Sequence, residues 1–118
     1  MEVDEQRREL ELYEHKEEYW KMRGQFLPDV RAEFFRLEDV VYKEGIMSSK
    51  SKRLQALAVS LALGCEDCIV YQTRKAIESG ATKEELVETT GVLLAIHGTT
   101  GWTEGWRVLK VLEELGMM

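Results

Sequence analysis

The chain has only two cysteines, one proline and two histidines among its 118 residues. So little sulfur excludes a scaffold stapled by several disulfides, and a single proline leaves long stretches free to run as helix. Basic residues are also in deficit, with 16 Lys and Arg against 22 Asp and Glu and a formal net charge of -6. An acidic chain repels phosphate backbones and anionic lipid at long range, which argues against nucleic acid or a membrane surface as a partner. No apolar run approaches membrane-spanning length, and the opening MEVDEQRREL lacks the hydrophobic centre of a secretion signal. The expected location is the cytoplasm, where thiols stay reduced and a close cysteine pair is more often catalytic or metal-binding than structural.

What is present is a hydrophobic share of 44% and a charged share of 32%, the balance of a folded, soluble chain. The length suits a single domain over residues 1–118. No segment alternates with period two and the glycines fall where helices would end, so the expected fold is all-α, with about six helices. The first is expected from Glu5 to Arg23, stopped by Gly24, with Leu10, Tyr13 and Trp20 on its buried side. Pro28 suits the first turn of a second, in which Val30, Phe34, Leu37 and Val41 form an amphipathic face and Gly45 marks the end.

A third helix opens in SSKSKR and continues through LQALAVSLALG, where apolar residues occupy nearly every side; it is expected at the centre of the domain or of an oligomer. Gly64 closes it, and the next helix starts at Cys65 and ends at Ser79 and Gly80. Thr82 with Glu85 predicts a capping box for a fifth helix carrying Leu86, Leu93, Leu94 and Ile96. A last helix is expected from Thr103 to Leu115, with Trp106, Leu109 and Leu112 facing inward, and GTTGW before it reads as a turn or kink. Trp20, Trp102 and Trp106 are expected in the core or in subunit contacts.

Both cysteines lie in GCEDCIVYQ, Cys65 and Cys68, three positions apart and directly after a glycine. In a regular helix, side chains at that spacing have Cβ atoms about 5 to 6 Å apart, whereas a disulfide wants about 3.5 to 4.5 Å. The pair can close only if Cys65 keeps the backbone freedom of a cap. A helix N-terminus also lowers a thiol pKa, because its unpaired N–H groups and dipole favour the thiolate. Glu66 and Asp67, between the two sulfurs, oppose that charge. Gln72 shares the helical face of both cysteines and can hydrogen-bond a thiolate, but it cannot exchange a proton near neutral pH. Three readings of the pair stay open at this level: redox chemistry, an inert reduced pair, or part of a metal site, the last poorly supplied because zinc normally takes four ligands.

The stretch KRLQALAVSLALGCEDCIVYQTRKAIESGATKEELVETTGVLLAI, Lys52 to Ile96, resembles the core of the AhpD-like and carboxymuconolactone decarboxylase superfamily. The apolar helix, the Gly-Cys-x-x-Cys junction, the SGATKEEL boundary and the following helix occur in the order of that family. The resemblance implies an all-helical fold assembled as a homo-oligomer, trimer or hexamer. It also implies a thiol-dependent alkylhydroperoxidase or disulfide reductase that works without a bound cofactor or metal. Its partners would be a small peroxide or disulfide substrate and a dithiol or lipoyl-type reductant. By the same resemblance Cys68 is peroxidatic and Cys65 resolving, although helix-end electrostatics alone would make Cys65 the more acidic thiol.

The family's proton relay uses a glutamate twelve positions before the first cysteine and a histidine four after the second, where this chain has Arg53 and Gln72. Neither serves as a general base near neutral pH, so either the task differs or other groups replace the relay. His97 is the substitute to consider, against the reading of a packed, hydrogen-bonded histidine. Arg53 could steady a thiolate or be a solvated or interface charge, and Tyr71 adjoins the motif but is expected to face elsewhere. Two further readings are an oligomeric redox sensor or small-ligand binder on the same fold, and a carboxymuconolactone decarboxylase whose acid and base are not identifiable here.

Overall fold

A computed structural model describes residues 9–118, with side chains from Glu11 onward. The described residues form helices α1 (Glu9–Phe26), α2 (Pro28–Tyr42), α3 (Ser49–Leu63), α4 (Glu66–Glu78), α5 (Lys83–His97), α6 (Thr99–Glu104) and α7 (Trp106–Glu114), with no strand among them. The all-α expectation holds, with six longer helices and the short α6. The start expected at Glu5 and the burial of Leu10 fall outside the described residues and side chains.

The main core joins α3, α4, α5 and α7 through Leu57 and Leu61, Ile69 and Ala76, Leu86 and Leu93, and Val108 and Leu112. The next position along α4, Val70, faces the other way and packs with Tyr13 of α1 and Val111 of α7, flanked by Trp20 and Tyr71. Consecutive residues Ile69 and Val70 thus bury two faces of α4, and that helix is fixed from both sides. A site on its remaining face inherits this rigidity.

Sequence signals account for most boundaries. Pro28 stands in the first turn of α2, the Ser48 side chain accepts the N–H of Ser51 to start α3, and Thr82 and Glu85 form the reciprocal capping box of α5. The expected last helix is divided instead. Gly105 separates α6 from α7, where an added Cβ would meet the Trp102 carbonyl oxygen at 3.0 Å and Thr90 of α5 at 3.3 Å. Trp106 and Leu109 are consequently exposed while Val108, Val111 and Leu112 face inward. The first helix runs past Gly24 to Phe26, and α2 ends at Tyr42, before Gly45.

The amphipathic face of α2 exists but is uncovered: Val30, Phe34, Leu37 and Val41 are all exposed, and the helix has no buried residue. The all-round apolar α3 likewise buries Leu57 and Leu61 but leaves Val59 and Leu63 in solvent, and α5 exposes Leu94 and Ile96. Trp102 and Trp106 are exposed rather than in the core. No helix of the described residues is long and apolar enough to cross a membrane.

Candidate functional site

The turn between α3 and α4 builds the cysteine pair. Gly64 takes the left-handed conformation at φ 66°, where a side chain would be strained, and its N–H closes the end of α3 on the carbonyls of Leu61 and Ser60. The N–H of Cys65 also returns to the Ser60 carbonyl at 3.2 Å. Cys65 is therefore outside the helix, extended at φ -83° and ψ 99°, and caps α4 with its sulfur, which accepts the N–H of Cys68 at 3.3 Å. The freedom of a cap position lets the two cysteines meet: they form a disulfide across a Cα separation of 5.2 Å.

The two sulfurs are not equivalent. Cys65 is half-buried, whereas Cys68 is exposed and lines a cavity of about 700 Å³ bounded by α1, α2 and α4. Tyr13 and Trp20 of α1, Val30 and Phe34 of α2 and Tyr71 of α4 give this cavity a largely apolar wall. Gln72 lines it beside Cys68, one helical turn further along the same face, as its spacing predicts. Tyr71 faces the same space, contrary to expectation; three positions after Cys68 is also a neighbouring position on a helix surface. Trp20 is the tryptophan that borders the approach to the sulfur.

Behind Gln72 lies a buried polar network. Arg53 is 8% exposed, not a solvated charge, and its Nη1 donates to Oε1 of Gln72 at 3.1 Å. The same nitrogen lies 3.6 Å from Oε1 of Glu38, whose Oε2 accepts the Tyr71 hydroxyl at 2.7 Å. The guanidinium stacks over the Tyr42 ring at 3.5 Å. Burial, followed by the hydrogen bond and negative charge of Glu38, pushes the Tyr71 phenol well above its ordinary pKa. Tyr13 is pushed up to about 12, first by burial and then by Glu17. Both rings are neutral at physiological pH.

The acids between the cysteines are held in check by partners on other helices. Lys16 of α1 pairs with Asp67 at 3.0 Å, and the buried Arg107 of α7 pairs with Glu66 at 3.0 Å. The expected opposition of these two carboxylates to a thiolate is therefore offset by two cations drawn to the same helical turn.

His97 stands at the exposed C-terminal end of α5, with its side chain beside Gly101. It does not line the cavity into which Cys68 opens. Glu38 is the member of the network that the sequence reading missed. Its signal was an acid one turn after Phe34, within the apolar stripe of α2. No group of three or more His, Cys, Asp or Glu that could hold a metal ion occurs among the described residues.

The model of the carboxymuconolactone decarboxylase family matches residues 28–111, a span that includes Glu38, Arg53, both cysteines and Gln72. A carboxymuconolactone decarboxylase family protein from Legionella pneumophila superposes with a TM-score of 0.83 at 24% identity, over 90% of this chain and 95% of that one, a likeness of fold. A carboxymuconolactone decarboxylase family protein from Thermotoga maritima is 34% identical with a TM-score of 0.65, over 73% of this chain and 89% of its own. In sequence, an uncharacterized protein of Cupriavidus necator is 28% identical over 92 residues, 78% of this chain and 81% of the relative. With the helical order, the cysteine turn and the family match in agreement, the chain belongs to the carboxymuconolactone decarboxylase family.

Proposed function

We propose that the protein is a thiol-dependent oxidoreductase of the AhpD-like kind, in which Cys68 reduces a peroxide or disulfide and Cys65 resolves the product. The observation that carries this reading is the asymmetry of the pair: the cysteines are close enough to bond, and Cys68 opens into a cavity while its partner is set back as the helix cap. With a peroxide, the Cys68 thiolate attacks one oxygen, the O–O bond breaks, and the other oxygen leaves and takes a proton. The sulfenic acid left on Cys68 then meets the Cys65 thiol, which forms the disulfide and releases water. A dithiol of lipoyl or similar type restores both thiols and is itself oxidised. Residues 1–118 act as one domain in the cytoplasm.

The uncovered apolar residues support assembly into a homo-oligomer. Leu63 is 75% exposed and Ile96 83%, and α2 offers a further stripe; surface of this kind marks an interface.

Peroxide consumption by the purified protein with dithiothreitol or dihydrolipoamide tests the reading. Turnover is expected, with its loss in Cys68→Ser, whereas Cys65→Ser should form the Cys68 sulfenic acid without an intramolecular disulfide. Failure of both reduced thiols to react with an alkylating agent at neutral pH would end it. Arg53 and Gln72, in place of an acid and a base, favour a second reading, a redox sensor that oxidises reversibly without turnover. Sustained turnover rules that out. Activity on a carboxymuconolactone that survives loss of both thiols would instead point to lactone chemistry.

A further inference from the structure

The orientation of Gln72 follows from the chemistry of its partner. A guanidinium has donors and no acceptor, so the side-chain atom of Gln72 that meets Arg53 at 3.1 Å is the carbonyl oxygen. The amide nitrogen is therefore the atom that Arg53 does not engage, and Gln72 lines the same cavity as Cys68, one helical turn further along. Glu38 and the Tyr42 ring hold the guanidinium in place, so the direction of the amide is fixed by buried groups on α2 and α3. An amide N–H stabilises a thiolate beside it, but gives up no proton to a departing group.

Of the other titratable groups around the cavity, Glu17 and Lys21 stand on α1, whereas Tyr71, Asp67 and Lys75 each have a partner. Tyr71 directs its hydroxyl proton to Glu38 and is harder to ionise than an ordinary phenol. Asp67 is paired with Lys16 at 3.0 Å, and Lys75 with Glu78 at 3.3 Å. No histidine lines the space.

We propose that Gln72 is a fixed hydrogen-bond donor to the Cys68 thiolate rather than a proton carrier, so that the site prefers substrates whose leaving group departs as a stable anion. That class comprises disulfides and acyl peroxides, ahead of hydrogen peroxide and alkyl hydroperoxides. This rests on the redox reading of the cysteine pair given above.

The distinction is one of leaving-group basicity. Attack on hydrogen peroxide expels hydroxide, the conjugate base of water with its pKa of about 15.7, and this departure gains most from a proton donor. Attack on a peroxy acid breaks the O–O bond and expels a carboxylate, whose acid has a pKa of about 4. Attack on a disulfide breaks the S–S bond and expels a thiolate, whose acid has a pKa of about 8.5. The Cys65 thiolate then displaces the second thiolate from the mixed disulfide. Two thiols of the protein are oxidised as one substrate disulfide becomes two thiols.

The test is stopped-flow oxidation of the fully reduced protein by hydrogen peroxide, peracetic acid and oxidised glutathione, with free dithiothreitol as the reference thiol and rates corrected to the thiolate present. The native protein is expected to react with hydrogen peroxide within about tenfold of the free thiolate, since general acid catalysis, worth about 10²- to 10⁴-fold, is absent. Gln72→His is expected to accelerate the hydrogen peroxide reaction at least about tenfold while changing the peracetic acid rate little. Gln72→Leu is expected to raise the Cys68 thiol pKa, read from thiolate absorbance in the ultraviolet, because the donor is gone. A native rate with hydrogen peroxide more than about a hundredfold above the free thiolate would overturn the inference by revealing a proton donor. So would a Gln72→Leu thiol pKa equal to that of the native protein. If none of the three oxidants joins Cys65 to Cys68, the redox reading itself fails; if all do so with the selectivity of an acid-assisted site, only the inference about Gln72 fails.

Discussion

Arg53 and Gln72 meet through a hydrogen bond of 3.1 Å that ties the buried face of α3 to the face of α4 bearing Cys68. The guanidinium serves three groups at once, the Gln72 carbonyl, the Glu38 carboxylate and the Tyr42 ring. Arg53→Met is expected to destabilise the fold by about 2 to 4 kcal/mol, between the cost of an unsatisfied buried acceptor and that of a broken buried ion pair. Arg53→Lys should recover part of this, since an ammonium keeps the charge but lacks the planar fork. Denaturant midpoints of the three proteins at one temperature measure the difference. A loss below about 0.5 kcal/mol in Arg53→Met would show that the network does not hold the helices together.

Alkaline pH should weaken the fold in a defined window. Tyr13 has a folded pKa of about 12 against 10.0 for an ordinary tyrosine. A raised pKa means that the folded state holds the proton more tightly, so the contribution is complete below pH 10 and is lost as pH rises toward 12. Thermal midpoints are expected to fall across that interval, and less steeply in Tyr13→Phe, which keeps the edge-on ring contact with Trp20.

The capping box of α5 supplies a local test. Thr82 Oγ1 accepts the Glu85 N–H at 3.1 Å and Glu85 returns to the Thr82 N–H at 3.0 Å. Thr82→Ala should cost about 1 kcal/mol and lower the melting temperature by about 4 °C. The Thr82 N–H first, and Lys50 next, hold the Glu85 carboxyl below its usual pKa. Its contribution is therefore present above pH 4.5 and disappears on acidification through the lowered value. Glu85→Gln, whose amide does not titrate, should flatten this acid limb, which urea midpoints at a series of pH values would show.

Two leucines of α3 separate folding from assembly. Leu57 is fully buried, and Leu57→Ala should cost about 2 to 5 kcal/mol. Leu63 is 75% exposed within the chain, so Leu63→Lys should leave the monomer's helix content intact while reducing the mass measured by light scattering. A native protein that scatters as a monomer at micromolar concentration would remove the oligomer from the proposal.

The helices were legible because their ends carry local signals: Pro28, the Thr82–Glu85 box and the left-handed Gly64 each act within a few residues of the boundary they set. What packs against a face is not local. Phe34 and Leu37 mark α2 as amphipathic, yet nothing in their spacing says whether another part of this chain covers them, and none of the described residues does. Gly105 falls inside the helix expected over Thr103 to Leu115, and part of what crowds it, the Thr90 side chain, lies on another helix. The site was half-visible for the same reason. Cys65, Cys68 and Gln72 share one helix and a fixed spacing, whereas the Arg53 and Glu38 contacts cross between helices and needed the fold to bring them together.

Cys65 has two duties that converge on a single atom. Its sulfur holds the first turn of α4 by accepting the N–H of Cys68, and it is also the atom that bonds to the Cys68 sulfur. Fraying of that turn would carry Cys68 away from its neighbour. The order of four residues at the head of one helix thus sets how readily the pair can close, and a mutation that loosens this turn would slow disulfide formation without touching either thiol.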